Sequence, residues 1–441
     1  MAQLQIKNSE YKKRRNELMS QMEPNSIAIL SSAEEFLRNG DSTFAFRQNS
    51  DLYYLTGFRE AQCCLVLIPG RSQGECLLFC QEKDAHKEMW NGRLMGPENA
   101  ADTLGVDDAF PISDIDDILP GLIEGRERVY YAMGRDEQFD HQVMEWVKVI
   151  RSKVRSGVHS PGEFLVLDHL LHEMRLIKSR AELKVMRESG QIAVRAHQRA
   201  MKNCKPGMYE YELEAEYLYE FARSGCRNPA YNSIVASGEN ACILHYTENN
   251  MQMKQGDLVL IDAGCEYEYY ASDITRTFPV NGRFSKEQKA IYELVLKAQL
   301  EAIKVVKPGN HWDDPHKVTV KVITQGLVKL GILKGKVETL IKKGAYKDFY
   351  MHRAGHWLGM DVHDVGDYKI DGKWRLLEPG MVMTIEPGIY VASGNKKVDK
   401  KWWGIGVRIE DDVAVTAEGY DVLTDGLPKT VEEIEAFMAA A

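Results

Sequence analysis

The chain has 441 residues, 44% of them apolar and 27% charged, with a formal net charge of −9 at pH 7. Its length calls for two or more domains with separate cores, and its ordinary composition leaves little room for long disorder. The negative balance argues against a sequence-blind nucleic-acid binder, which needs clustered Lys and Arg to displace counterions from phosphates.

The opening stretch, residues 1–22, is basic but lacks the apolar core of a secretory signal, and its pattern predicts an amphipathic helix. No apolar run approaches the roughly 20 residues needed to cross a bilayer, so a cytoplasmic protein with no membrane partner is expected. Short β-type runs follow, Ser26-Ile27-Ala28-Ile29-Leu30 and Cys64-Leu65-Val66-Leu67-Ile68 before a Pro69-Gly70 turn, mixed with helical segments. Residues 1–174 therefore read as an α/β domain. The eight cysteines lie in apolar contexts without a CxxC pair, which predicts reduced, buried thiols. Cys76 and Cys80 are four apart but lack the second ligand pair of a zinc site.

Ser179 with Glu182 forms a capping box that opens a long helix through Ala200, and the domain boundary is placed just before it, near residue 174. Residues 175–441 then contain a repeat. Gly256-Asp-Leu-Val-Leu-Ile-Asp262-Ala-Gly264 and Gly380-Met-Val-Met-Thr-Ile-Glu386-Pro-Gly388 match position by position. Each is a buried strand ending in an acid, and each is followed by a second acid-bearing strand, with Asp273 after the first and Glu410 after the second. Such duplication predicts a domain with internal pseudo-twofold symmetry whose halves give carboxylates to one centre.

A turn centred between Tyr267 and Glu268 would set Asp262 directly opposite Asp273, Cβ atoms about 5 Å apart on one face. Tyr-Glu is poor two-residue turn chemistry, so a four-residue loop with that centre is expected. A lone Asp usually caps a turn or faces solvent. Here four acids emerge from two matched core hairpins, which is too costly without a cation between them.

Three of the twelve histidines fall in one segment, His352-Arg-Ala-Gly-His356-Trp-Leu-Gly-Met-Asp-Val-His363. Gly355 and Gly359 argue against a regular helix there, and HExxH is absent. Imidazole with mostly carboxylate oxygens favours manganese or another first-row divalent ion. Two such ions close together can share a hydroxide for attack on a poorly reactive carbonyl.

These residues carry a resemblance to the pita-bread metallopeptidases, and within them to the bacterial Xaa-Pro aminopeptidases (aminopeptidase P). It runs over nearly the whole chain, from Tyr11-Lys-Lys-Arg-Arg and Phe46-Arg-Gln-Asn-Ser-Asp-Leu-Tyr-Tyr-Leu-Thr-Gly-Phe58 to the acidic strand ending at Val413. Its most specific stretches are Cys242-Ile-Leu-His245-Tyr-Thr-Glu-Asn249, Leu260-Ile-Asp262-Ala-Gly-Cys265, Asp273-Ile-Thr-Arg-Thr-Phe-Pro279 and Gly404-Ile-Gly-Val-Arg-Ile-Glu-Asp411. The fold implied is an α/β N-terminal domain of creatinase type over 1–174, serving oligomerisation or substrate access, and an α+β pita-bread catalytic domain over 175–441.

The resemblance also implies roles. Asp262, Asp273, His356, Glu386 and Glu410 would hold two divalent ions, most simply Mn2+, with Asp273 and Glu410 shared between them. Glu386 would be the general base in an attack by the bridging hydroxide. His245 and His363 would stabilise the tetrahedral intermediate and assist departure of the proline nitrogen. His352 would line the proline pocket and Tyr390 would stand beside it. Arg408, two residues before Glu410 on the same strand face, is placed to pair with an inner acid such as Asp262. Trp90 resembles an aromatic that the family brings from the N-terminal domain to a neighbouring subunit's site.

The substrates implied are peptides with proline second, the assembly a homo-oligomer, dimer or tetramer. The alternative within the fold is prolidase, which cuts only Xaa-Pro dipeptides. Metal-free binding proteins and creatinase share the fold but usually lack the ligands. One departure stands out: family members usually carry Gly before a branched apolar residue where this chain has Arg353-Ala354, which leaves the ligands intact and bears on the pocket beside His352.

Overall fold

Strands buried on both faces build the N-terminal core in the computed structural model, which describes residues 4–440. Ile27 and Ile29 on one strand, Cys64 and Val66 on the next, and Leu77 and Phe79 on a third point the same way, the two-residue period of a pleated sheet. They meet helical faces carrying Ile115, Leu119 and Ile123, and Val143, Trp146 and Ile150. The sheet has six strands in the spatial order 108–111, 76–80, 64–67, 26–31, 128–131 and 163–166, with parallel and antiparallel pairs mixed. By internal packing the chain divides into two units, Met1–Met174 and Arg175–Ala441.

The expected amphipathic first helix is corrected in kind. The helix spans Asn8–Gln21 and its inner face is Tyr11, Arg14, Arg15 and Leu18, two of them arginines. Both guanidiniums are buried because they find carbonyls: Arg14 donates to Tyr54 O, and Arg15 to Leu55 O and Gly105 O. Hydrogen bonding thus takes the place of an apolar stripe. Residues 1–3 of that expectation lie outside the described residues.

In the second unit a helix runs over Arg180–Asn203, opened by the reciprocal Ser179–Glu182 capping box. The first acid hairpin pairs Leu258–Asp262 with Thr275–Pro279, and Ile234–Ser237 flanks it. The turn centre lies one residue beyond the expected one, which moves the register by two. Asp262 faces Thr275, not Asp273, and the reversal is centred on Glu268 and Tyr269, both at positive φ (49° and 68°). A two-residue turn survives this unfavourable chemistry because Tyr267 and Tyr270 on either side are buried, Tyr270 donating to Glu182 Oε1 at 2.9 Å. The shift spans two positions on the second strand, so Asp273 stays on the face of Asp262, diagonal to it.

The second hairpin pairs Val382–Ile385 with Asp411–Val415, and Gly388–Val391 with Ile405–Arg408. Ile385 faces Asp411 and Gly388 faces Arg408, a register that sets Glu386 across from Glu410. Glu410 N donates to Thr275 O and Thr277 Oγ1 to Arg408 O, so the two hairpins join side by side. The fully buried Arg276 fastens them, donating to Glu410 O at 2.6 Å and Asp411 Oδ1 at 2.8 Å. All eight cysteines are free, seven of them buried, as expected. Among the described residues no helix is long and apolar enough to cross a membrane.

Candidate metal centre

Strand ends from both hairpins open into one cavity of about 330 Å³, lined by Asp262, Asp273, His356, Glu386 and Glu410 together with His245, His352, His363 and Arg408. The sequence-predicted acids and histidines therefore converge. Two glycines permit the approach. A Cβ on Gly264 would lie 1.7 Å from Ser272 O, and one on Gly355 would lie 1.9 Å from Thr384 O, so backbone meets backbone beside Asp273 and His356.

His356 lies in an irregular segment, as the glycines predicted. Its Nδ1 is 2.9 Å from Trp357 O and takes the proton, leaving Nε2 to face Asp273 Oδ2 at 3.3 Å and Glu386 Oε1 at 3.8 Å. Asp273, His356 and Glu410 each offer a ligand atom, all within 4.8 Å of one another.

Electrostatics show what the cavity lacks. Burial, then the neighbouring carboxylates, push Glu410 well above the carboxylate range, and Glu386 rises to about 7 from burial despite His356 and Arg408. Asp273 rises through burial and the charge of Asp262. Burial acts against His356⁺, yet Asp273 and Glu386 raise the imidazole to about 9. Burial likewise opposes ionisation of Asp262, and Arg408 and the Tyr231 hydroxyl outweigh it, holding the acid below its ordinary value. Arg408 Nη2 donates to Asp262 Oδ2 at 2.6 Å, the expected pairing.

Four carboxylates, those of Asp273 and Glu410 buried and those of Asp262 and Glu386 partly so, thus share one permanent cation. Tyr231 adds a further sign: its single hydroxyl proton lies between Asp262 Oδ1 at 2.6 Å and Asp273 Oδ1 at 2.5 Å. Oxygen donors with one imidazole suit hard or borderline divalent ions, so the residues present fit a metal centre.

The remaining predicted residues fall into two places. Arg408 Nη1 donates to Tyr390 Oη at 3.0 Å, Tyr390 Oη is 2.9 Å from His352 Nε2, and His352 Nδ1 is 2.7 Å from Arg353 O. This relay holds His352 neutral with its proton on Nδ1; burial and Arg408 lower its pKa to about 3. The His363 ring is 4.4 Å from that of His356. Trp90 stands elsewhere, on the Ala85–Asn91 helix of the N-terminal unit, and is 75% exposed.

Sequence reasoning missed several partners. Tyr231 precedes the strand beside Asp262, and nothing in its local pattern marks it. Thr275 Oγ1 donates to Glu410 Oε2 at 2.6 Å and accepts from Arg408 Nε. Thr384 Oγ1 accepts from His356 N. Asp412, fully buried, accepts from Asp273 N, and the acid-rich run after Glu410 was a signal for it. A second group able to hold an ion, Asp51, Asp168 and His172, lies in the N-terminal unit. Arg135 already fills it, donating to Asp51 at 2.9 Å and Asp168 at 2.8 Å.

Comparison with known proteins agrees with this geometry. The model of metallopeptidase family M24 matches residues 184–417, and that of the aminopeptidase P N-terminal domain matches residues 11–130. The chain is 46% identical over 438 residues to Xaa-Pro aminopeptidase of Escherichia coli K12, covering 99% of both chains. Among solved structures it is similar to Pseudomonas aeruginosa aminopeptidase PepP, with 62% identity, 99% of both chains covered and a TM-score of 0.99. An Escherichia coli aminopeptidase P variant solved in complex with substrate superposes with a TM-score of 0.96 at 46% identity, over 99% of both chains.

Proposed function

The chain belongs to metallopeptidase family M24, with an aminopeptidase P N-terminal domain ahead of the catalytic one, and from that premise we propose how its cavity works. It is a metal-dependent aminopeptidase that hydrolyses the bond between an N-terminal residue and a following proline, and the dipeptide-only alternative is not favoured. The observation that carries this reading is the meeting of both acid hairpins and His356 in one cavity of a chain that is Xaa-Pro aminopeptidase-like end to end.

Asp262, Asp273, His356, Glu386 and Glu410 would hold two divalent ions. When bound, the ions supply Lewis-acid polarisation and a water acidic enough to serve as nucleophile near neutral pH. Glu386 takes the proton of the attacking water. His245 and His363 hydrogen-bond the oxygen that gains charge and pass a proton to the departing proline nitrogen. His352 and Tyr390 wall the proline side, their orientation set by the relay from Arg408. Arg408 keeps Asp262 ionised as a ligand.

The donor set supports manganese as the ion. Residues 1–174 serve oligomerisation and substrate access, in a cytoplasmic homo-oligomer, dimer or tetramer, where the exposed Trp90 reaches a neighbouring copy's site. A panel of Xaa-Pro dipeptides and Xaa-Pro-Xaa peptides, assayed with manganese, zinc and cobalt after chelation, tests the proposal. Cleavage of the longer peptides that is lost on chelation and regained with manganese is expected. Activity restricted to dipeptides, or surviving exhaustive chelation, would overturn it.

A further inference from the structure

We propose that Arg353 reads a carboxylate on the carboxyl side of the substrate's proline, so that the enzyme favours peptides bearing negative charge at their third residue. This rests on the aminopeptidase reading above. Arg353 lines the catalytic cavity, yet its side chain is 48% exposed, against 14% for Asp262 and 7% for Asp273. The acids form the floor and Arg353 stands at the mouth.

The guanidinium is held in place before any ligand arrives. Its Nη1 donates to Asp313, at the head of the Asp314–Lys329 helix, and its Cζ lies over the Trp374 ring at 4.5 Å and the Trp312 ring at 5.6 Å. The two indoles stack at 5.2 Å, and Lys369 sits 4.4 Å from the Trp374 ring. Arginine fixed by an ion pair and by stacking loses little side-chain entropy on binding. Among the described residues no acceptor meets Nε or Nη2, which keep their donors for an incoming group. Asp313 offsets part of the charge, so recognition depends on donor geometry more than on net field.

The direction follows from the reaction. An aminopeptidase leaves one residue before the cut, and its cationic amine belongs with the acids of the floor. The rest of the peptide runs outward past His352 to the mouth, where Arg353 meets it. The carboxylate there is either the terminal carboxylate of a tripeptide or an acidic side chain at the third position.

Steady-state kinetics separate these sources. One pair of substrates is an Xaa-Pro-Xaa tripeptide as free acid and as C-terminal amide; the other is a pentapeptide amide with Glu or Gln third. The loaded wild-type enzyme is expected to prefer the charged member of at least one pair by about three- to tenfold in kcat/KM, chiefly through KM. Arg353→Gln should bring that ratio near one, and Arg353→Lys should keep part of it. An acid-to-amide effect assigns the terminal carboxylate, and a Glu-to-Gln effect the side chain. Because each ratio is taken within one protein, any partial loss of fold cancels. Equal ratios in wild type and Arg353→Gln for both pairs overturn the proposal, whereas failure of the wild type to cut any of the peptides overturns the aminopeptidase reading and the proposal with it.

Discussion

Tyr231 joins Asp262 and Asp273 through one hydroxyl, and groups that orient ligands tune a metal site nearly as strongly as the ligands do. Tyr231→Phe should weaken divalent-ion affinity about 10–100-fold, measured by titrating metal into the chelator-stripped protein. Asp364 sets a different condition, through pH. It follows His363 directly in the chain and is clamped by Arg175 Nη2 at 2.6 Å and Lys178 Nζ at 2.8 Å. Burial raises its pKa, but Lys178 and Arg175 outweigh burial and hold it below the ordinary value. A depressed carboxylate stabilises the fold fully above its unfolded pKa of about 3.9, and that contribution is lost as pH falls through the lower folded value. Asp364→Asn should therefore cost about 3–5 kcal/mol at pH 7 in denaturant unfolding, and the gap to wild type should narrow below pH about 4. At this scale the acids were legible, since each leaves a core strand that gives a carboxylate no other purpose. Tyr231 was not, because a hydroxyl reaching across from the segment before a neighbouring strand leaves no local pattern. His356 was selected from its cluster by resemblance alone, since the choice depends on which ring faces Asp273.

The two hairpins show what element-level reading can and cannot reach. Their matched sequences announced a pair of acid-bearing units, and both exist. The first turn was displaced by one residue, and its register by two, because turn propensity at Glu268-Tyr269 yields to the burial of Tyr267 and Tyr270, a tertiary fact. The first helix failed in the same way: a pattern of charges on Arg14 and Arg15 reads as solvent-facing until the carbonyls of residues 54, 55 and 105 are known. Arg276 is the strut between hairpins, ion-paired to Asp411 with both side chains fully buried. Arg276→Met should destabilise the catalytic unit by about 3 kcal/mol or more, because it strips a buried acid of its main partner. Thermal unfolding checks this, and an unchanged midpoint would remove the strut from the account.

On the scale of the whole molecule, four acids concentrated in one cavity, two of them buried and two partly so, oppose folding until cations join them. An ion that binds only the folded state at a hundred times its Kd adds about 2.7 kcal/mol. Chelation should lower the unfolding midpoint of the catalytic unit by several degrees and excess manganese should restore it, read by scanning calorimetry; indifference to both would mean the acids are balanced from within. The two-part architecture was readable from the change in texture near residue 174. The convergence of the two hairpins on one centre was read from their repeat, but the contacts by which they meet were not, since no local rule states that Thr275 and Glu410 touch.

That meeting has a consequence in time. Arg408 and its partner Asp262 are separated by 146 positions along the chain, and Arg276 and Asp411 by 135. At a synthesis rate of about 5–20 residues per second, roughly 7–30 s pass between the appearance of Asp262 and that of Arg408. Throughout that interval the first hairpin has its acids but not its counterion Arg408, and its strut Arg276 has no Asp411 to grip; closing so long a loop is slow. The centre can therefore be charged only after translation has passed the second hairpin, which makes metal capture a late event in the life of each new chain.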